Sequence, residues 1–137
     1  MVKDQKAVLM ADDDAEDCLL ATEAFGLSGV KASFSCVEDG IELLDELNKG
    51  VHAGAGELPD LILLDLNMPR KDGRKALTEI QSDPALRHIP IVVLSTSSEQ
   101  RDISFSMNAG ARAFITKPAA FDDWVEIMRS LAGDWLE

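Results

Sequence analysis

Polar side chains that could bind or transfer a phosphoryl group follow four apolar segments of this sequence. These residues are Asp12 and Asp13, then Asp65, then Ser95 or Thr96, and finally Lys117. Three carboxylates in one crevice would repel each other, and a hard divalent cation is the usual remedy for that repulsion. With Mg²⁺ and the lysine present, two plus one positive charges would offset the three negative ones.

The same set of side chains suits phosphoryl transfer, in which catalysis is mostly positioning and charge neutralisation. One carboxylate can attack phosphorus as the nucleophile and form an aspartyl phosphate. A metal ion held by the other two would clamp the equatorial oxygens, and the lysine and a hydroxyl would bind the remaining phosphoryl oxygens. The pattern therefore predicts a phosphoryl site and leaves open which carboxylate is the nucleophile.

Each of these residues also has an ordinary structural interpretation. A carboxylate at the end of a strand is more often the N-cap of the next helix, and a run of hydroxyls usually caps a helix or forms a turn. Asp14, Glu16 and Asp17 are interpreted as acids of a first helical turn, which favour the helix dipole. The residues indicate a phosphoryl site only because they occur together, at the ends of successive predicted strands.

Strand-like and helix-like segments alternate five times along the chain. The predicted strands cover residues 7–11, 31–36, 61–64, 89–94 and 111–116, and the predicted helices cover 15–25, 41–47, 73–81, 99–109 and 121–131. Residues 49–57 are predicted to be a flexible loop. The alternation implies right-handed crossovers onto a parallel sheet, an α/β doubly wound fold with helices on both faces.

The apolar periodicity predicts which face of the first helix is buried. Its recurring positions are Ala15, Cys18, Leu19, Thr22 and Phe25, and Asp14 is the expected N-cap. At the other end of the chain, Trp135 and Leu136 lie beyond the regular stripe of the last helix. They either close the core, which we favour, or form an exposed apolar contact for a dimer or a target.

Composition narrows the class of protein. A chain of 137 residues is expected to be one domain, and its net charge of −12 would repel phosphate backbones, which argues against direct nucleic-acid binding. Neither a membrane span nor a signal peptide is recognisable, so we expect a cytoplasmic protein. Cys18 and Cys36 lack metal-ligand spacing and are interpreted as small buried residues in a reducing compartment.

Taken together, these motifs resemble the receiver domain of two-component response regulators over essentially the whole chain. The matching stretches are residues 8–13, 60–69 with Gly73, 89–95, 110–111 and 117–118. The resemblance implies a flavodoxin-like five-stranded parallel sheet of strand order 2-1-3-4-5. It also implies a single receiver domain over residues 1–137, with no output domain and no enzymatic activity beyond its own phosphorylation and dephosphorylation.

The resemblance also implies roles for individual residues. Asp65 looks like the phosphoacceptor, and Asp12, Asp13, Asp65 and the main-chain carbonyl of Asn67 look like the Mg²⁺ ligands. Ser95 takes the place of the switch hydroxyl, Phe114 that of the switch aromatic, and Lys117 that of the phosphate-binding lysine. The family's frequent cis bond is implied at Pro118.

A narrower resemblance concerns the partners. The loop before Pro59, the turn 69–73 and residues 83–90 look like the stand-alone regulators paired with cyanobacterial and bacterial phytochromes. This implies a sensor histidine kinase, a bacteriophytochrome, as phosphodonor, together with a downstream protein target and a homodimer.

Other functions on the same topology are weaker. A phosphohydrolase of the haloacid-dehalogenase type, acting on small phosphate esters through an aspartyl nucleophile, would need a second Asp at position 67, which is Asn. A pseudo-receiver that only binds partners would not need the intact acids and lysine. A flavin or nucleotide site would need a glycine-rich loop where this chain carries acids.

Overall fold

The chain alternates strands and helices in the computed structural model, which describes residues 5–54 and 57–136. In order, the elements of these ranges are β1 (Lys6–Ala11), α1 (Ala15–Gly26), β2 (Ala32–Val37), α2 (Gly40–Ala53), β3 (Leu61–Leu64), α3 (Gly73–Ser82), β4 (Ile91–Ser95), α4 (Gln100–Asn108), β5 (Ala113–Thr116) and α5 (Phe121–Trp135). All paired strands are parallel, in the order β2-β1-β3-β4-β5. The predicted doubly wound fold and its strand order are confirmed.

Strand β3 shows how the sheet is buried on both faces. Its successive side chains point to opposite sides because the strand period is two residues. Ile62 and Leu64 join one core with α2 and α3, whereas Leu61 and Leu63 join a second core with α1 and α5. Strand β2 alternates exposed and half-buried residues along most of its length, as expected of an edge strand.

Helix α2 is longer than predicted. It continues through Gly50 to Ala53, so most of the predicted loop is its last turn. Gly50 is buried, and a Cβ there would lie 2.9 Å from the Leu58 side chain, so its missing side chain lets this turn pack against the returning chain. Positions 55 and 56 of the predicted loop lie outside the described residues.

The predicted inner face of α1 is partly wrong. Phe25 is buried, but Ala15 is exposed and the Leu19 side chain is 57% exposed. The buried face is instead formed with Ala21 and Ala24, whose small side chains belong to the same core as α5. Alanine fits the helical period equally well, so the apolar pattern alone selects the wrong face.

Of the two alternatives for Trp135 and Leu136, the structure supports closure of the core. Helix α5 extends to Trp135, and Leu136 is only 6% exposed within the core that α1 and α5 share. Trp135 is half-buried against the same core.

The two cysteines form a disulfide, so their interpretation as separate small residues is wrong. Cys18 lies in α1 and Cys36 in β2, with their Cα atoms 6.6 Å apart. Both side chains are half-buried. The pairing follows from the lateral packing of α1 beside an edge strand, which no local pattern of the sequence reveals.

Candidate functional site

The carboxyl edge of the sheet brings the predicted acids together. Ligand oxygens of Asp12, Asp13 and Asp65 all lie within 4.8 Å of one another. Asp12 and Asp65 are buried, and Asp13 is exposed. Two inner carboxylates and one outer carboxylate therefore face a shared space.

Backbone hydrogen bonds extend the sheet pattern to the site residues. They run from Asp12 N to Val37 O at 3.0 Å, from Asp65 N to Ala11 O at 3.0 Å and from Lys117 N to Ser95 O at 2.8 Å. Each site residue is thus anchored to a neighbouring strand at the point where its own strand ends. The sequence folds this way because Gly73 lets the chain turn sharply after β3: a Cβ at Gly73 would collide with the Asp65 carbonyl.

Lys117 is the positive centre of the site. Its Nζ lies 2.6 Å from Asp12 Oδ2, 2.8 Å from Asp17 Oδ2 and 3.4 Å from Asp65 Oδ2, and its side chain is only 6% exposed. Burial acts to lower the pKa of Lys117, but its contacts with Asp12 and Asp17 and the charge of Asp65 raise the pKa above its ordinary value. The lysine is therefore firmly protonated.

Asp17 is a site residue that the sequence reasoning missed. Asp17 lies in the first turn of α1, as predicted, and its carboxylate also accepts a hydrogen bond from Lys117. No local pattern distinguishes Asp17 from the other acids of that turn, because its contact with Lys117 joins residues 100 positions apart in the sequence.

Asp12 has one carboxylate oxygen that is ion-paired with Lys117 but makes no hydrogen bond of ordinary geometry. Its Oδ1 accepts from Asp14 N at 2.9 Å, whereas Oδ2 is close to Lys117 without the direction of a hydrogen bond. Among the buried side-chain oxygens and nitrogens of the described residues, Asp12 Oδ2 alone has no hydrogen-bond partner. Burial raises the pKa of Asp12 to about 6, although Lys117 and Asp14 favour the charged form.

Both carboxylate oxygens of Asp65 accept only long hydrogen bonds. Oδ1 accepts a weak hydrogen bond from Asn67 N at 3.3 Å, and Oδ2 accepts one from Lys117 at 3.4 Å. Burial raises the pKa of Asp65, and Lys117 acts in the opposite direction. Neither contact is short, so this carboxylate is the most weakly held of the buried pair.

A divalent cation fits this arrangement. Carboxylate oxygens are the hard ligands that Mg²⁺ selects, and the unsatisfied Oδ2 of Asp12 offers one directly. The cation would also favour the charged forms of both buried acids, whose pKa values are raised mainly by burial and to a smaller extent by the neighbouring carboxylates. Asn67 is exposed next to Asp65, in the segment from which its carbonyl was predicted to bind the metal.

The switch candidates lie on β4 and β5. Ser95 is fully buried and Thr96 is exposed, so the inner hydroxyl is that of Ser95. Phe114 pairs with Val93 across the two strands and packs half-buried against the core of α2 and α3. All peptide bonds in the described residues are trans, so the cis bond implied at Pro118 is wrong; trans is the preferred form even before proline.

A second polar network, also missed from the sequence, connects α3 to the segment after β4. Arg74 donates to Asp102 Oδ1 at 2.8 Å, and Ser97 Oγ donates to Asp102 Oδ2 at 2.6 Å. Ser97 N in turn donates to Ser95 Oγ at 3.2 Å. Hydrogen bonds from Arg74 and Ser97 hold the pKa of the largely buried Asp102 below its ordinary value. The Ser95 hydroxyl is thereby linked through Ser97 to an ion pair between α3 and α4.

Comparison with known proteins agrees with this geometry. Residues 8–129 match the response regulator receiver domain family. The response regulator Rcp1 of Synechocystis sp. is 33% identical over 132 residues, covering 96% of this chain and 90% of its own. The Mn²⁺-bound crystal structure of Rcp1 superposes with a TM-score of 0.84 over 96% of this chain and 95% of the other.

A second relative is more similar in sequence. The phosphorylated cyanobacterial phytochrome response regulator RcpA is 41% identical, with a TM-score of 0.87 over 97% of this chain and 95% of the other. Both comparisons cover nearly the whole of either chain. The chain therefore belongs to the response regulator receiver domain family, and it is homologous to the phytochrome-associated stand-alone regulators.

Proposed function

We propose that this protein accepts a phosphoryl group on Asp65 from the phosphohistidine of a sensor histidine kinase. The observation that carries the proposal is the position of Asp65, a buried and weakly held carboxylate between Lys117 and two further acids. Asp12, Asp13, Asp65 and the carbonyl of Asn67 would hold Mg²⁺. When bound, the ion supplies positive charge that clamps the phosphoryl oxygens.

The residues of the chain account for the transfer. An Asp65 oxygen forms a bond to phosphorus as the bond to the kinase imidazole nitrogen breaks, and the electron pair stays on that nitrogen. Lys117, firmly protonated, moves its contacts from the acids to the phosphoryl oxygens. Ser95 supplies a hydroxyl from the neighbouring strand. Apart from this self-modification we assign no enzymatic activity to the chain.

Signalling would follow from a shift between two conformations. The Ser95 hydroxyl is drawn to the phosphoryl group, and Phe114 repacks in response, changing the surface that a downstream protein binds. Because Phe114 has no hydroxyl, it reports the switch by packing alone.

The relatives support a narrower assignment of partners. RcpA is a phytochrome response regulator, and another similar structure belongs to red light signalling in R. palustris, at 36% identity and a TM-score of 0.85. We therefore favour a bacteriophytochrome as kinase, a protein as downstream target and a homodimer as the assembly. None of the helices in the described ranges has the length and apolar character to span a bilayer. We propose that residues 1–137 act in the cytoplasm as a single receiver domain.

Intact-mass analysis after incubation with Mg²⁺ and acetyl phosphate tests the proposal. The wild type should gain one labile phosphoryl adduct, Asp65→Asn should gain none, and Asp45→Asn, which changes an exposed acid of α2, should behave as the wild type. An unmodified wild type would refute the phosphoacceptor role. Continuous turnover of small phosphate esters would instead favour the phosphohydrolase alternative.

A further inference from the structure

The disulfide lies beside the acidic cluster and shares a cavity with it. A partly open cavity of about 160 Å³ is lined by both cysteines and by Asp12, Asp13 and Val37, among others. Cys18 and Cys36 are half-buried, and both line this cavity together with the acids.

The bond also spans the turn that carries the metal-binding acids. Cys18 lies one turn into α1, and Cys36 is the penultimate residue of β2. Two backbone hydrogen bonds lie next to the cysteines: Asp12 N donates to Val37 O at 3.0 Å, and Cys18 N donates to Asp14 O at 3.0 Å. The turn 12–14 is thus attached to β2 at one end and to α1 at the other, and the disulfide joins these two attachments covalently.

We propose that Cys18 and Cys36 form a thiol–disulfide exchange site for a dithiol reductant, and that their oxidised form holds the turn 12–14 in its metal-binding arrangement. Reduction frees α1 and β2 to separate slightly, so Asp12 and Asp13 are less well placed and Mg²⁺ binds more weakly. This inference rests on the proposed function, since it concerns the same metal site. In a reducing compartment such a disulfide would be transient, and Mg²⁺ binding would then depend on whether the surrounding thiols are oxidised or reduced.

The exchange balances as an ordinary two-electron reaction. A thiolate of the dithiol attacks one cysteine sulfur, the S–S bond breaks, and the other cysteine leaves as a thiolate that takes up a proton. The second thiol of the reductant then displaces the first cysteine from the mixed disulfide. Cys18 and Cys36 gain two electrons and two protons in total, and the dithiol becomes a disulfide.

The test compares Mg²⁺ binding by the whole protein in its two redox states. One sample is oxidised with an excess of oxidised glutathione and desalted; the other is reduced with dithiothreitol and desalted without oxygen, and alkylation followed by mass analysis counts the free thiols. Calorimetric titration with MgCl₂ should give a dissociation constant at least about fivefold higher for the reduced form, the lower end of ordinary coupling between sites. Reoxidation should restore the tighter binding.

The variant with Cys18→Ser and Cys36→Ser is the matched control. It should bind Mg²⁺ as the reduced wild type does and should ignore both treatments, while circular dichroism checks that it is folded. Equal Mg²⁺ affinity in the two redox states, a variant that binds as the oxidised form does, or free thiols that persist after oxidation would each overturn the inference. Absence of Mg²⁺ binding and of phosphorylation in the oxidised protein would refute the proposed function itself.

Discussion

Lys117 shows how one buried cation organises several acids. Its ammonium contacts Asp12, Asp17 and Asp65 from three different segments of the chain. In the metal-free protein it is the charge that offsets these carboxylates most directly. Its role is therefore structural as well as chemical.

Replacing Lys117 by alanine should destabilise the metal-free protein. Loss of the cation leaves Asp12 and Asp65 buried and unpaired, so we expect the free energy of unfolding to fall by about 3 kcal/mol. Urea unfolding in the presence of a chelator measures this change. Mg²⁺ should recover part of the loss, because it binds the folded acids and neutralises them.

Lys75→Ala is the matched control, because Lys75 is exposed on α3 and its loss should change stability by less than about 0.5 kcal/mol. Equal unfolding free energies for wild type and Lys117→Ala would show that the lysine does not offset the acids.

At the scale of elements, the connection between α3 and α4 stands out. Arg74 is the second residue of α3, just after the turn that follows Asp65, and Asp102 lies in the first turn of α4. Ser97 attaches the segment after β4 to the same carboxylate. This network therefore joins the segments that follow Asp65 and Ser95.

A double-mutant cycle should detect this connection. Because Asp102 is largely buried, Arg74→Met and Asp102→Asn should show a coupling free energy of about 1 to 3 kcal/mol in urea unfolding. The exposed pair of Arg129 and Glu126 on α5, at 2.8 Å, is the matched control and should couple by less than about 0.5 kcal/mol. Equally small coupling in both cycles would mean that the network does not hold the two helices together.

For the molecule as a whole, the two buried acids at the sheet edge make stability depend on pH. Burial raises the pKa of Asp12 from 3.8 to about 6 and also raises that of Asp65. Between the two pKa values the folded protein keeps a proton on Asp12 that the unfolded chain has released. The contribution of Asp12 to the free energy of unfolding is therefore fully present below the pKa of the unfolded chain. It is lost as the pH rises through the pKa of the folded protein.

Comparison with Asp12→Asn isolates this effect. From about pH 4 to about pH 7.5, the metal-free wild type should lose stability relative to the variant, by at most about 3 kcal/mol. Asp102 acts in the opposite direction, because its lowered pKa makes stability fall as the pH drops, and its contribution cancels in the comparison. Urea unfolding across this pH range measures the difference. A difference that is constant with pH would contradict the raised pKa.

The sequence alone was sufficient for the fold and for most of the proposed site. Apolar segments that alternate with amphipathic ones specify a doubly wound sheet, and the carboxyl ends of parallel strands must meet at one edge. The sequence therefore predicts one crevice that contains the side chains of Asp12, Asp13, Asp65, Ser95 and Lys117.

Only the tertiary structure decided the contacts between neighbours that are distant along the chain. The ion pair of Asp17 with Lys117, the bond of Arg74 to Asp102 and the disulfide all depend on how closely particular helices and strands pack side by side. Local periodicity contains no information about that lateral distance. For the same reason the pattern could not tell whether Leu19 or the alanines of α1 face the core.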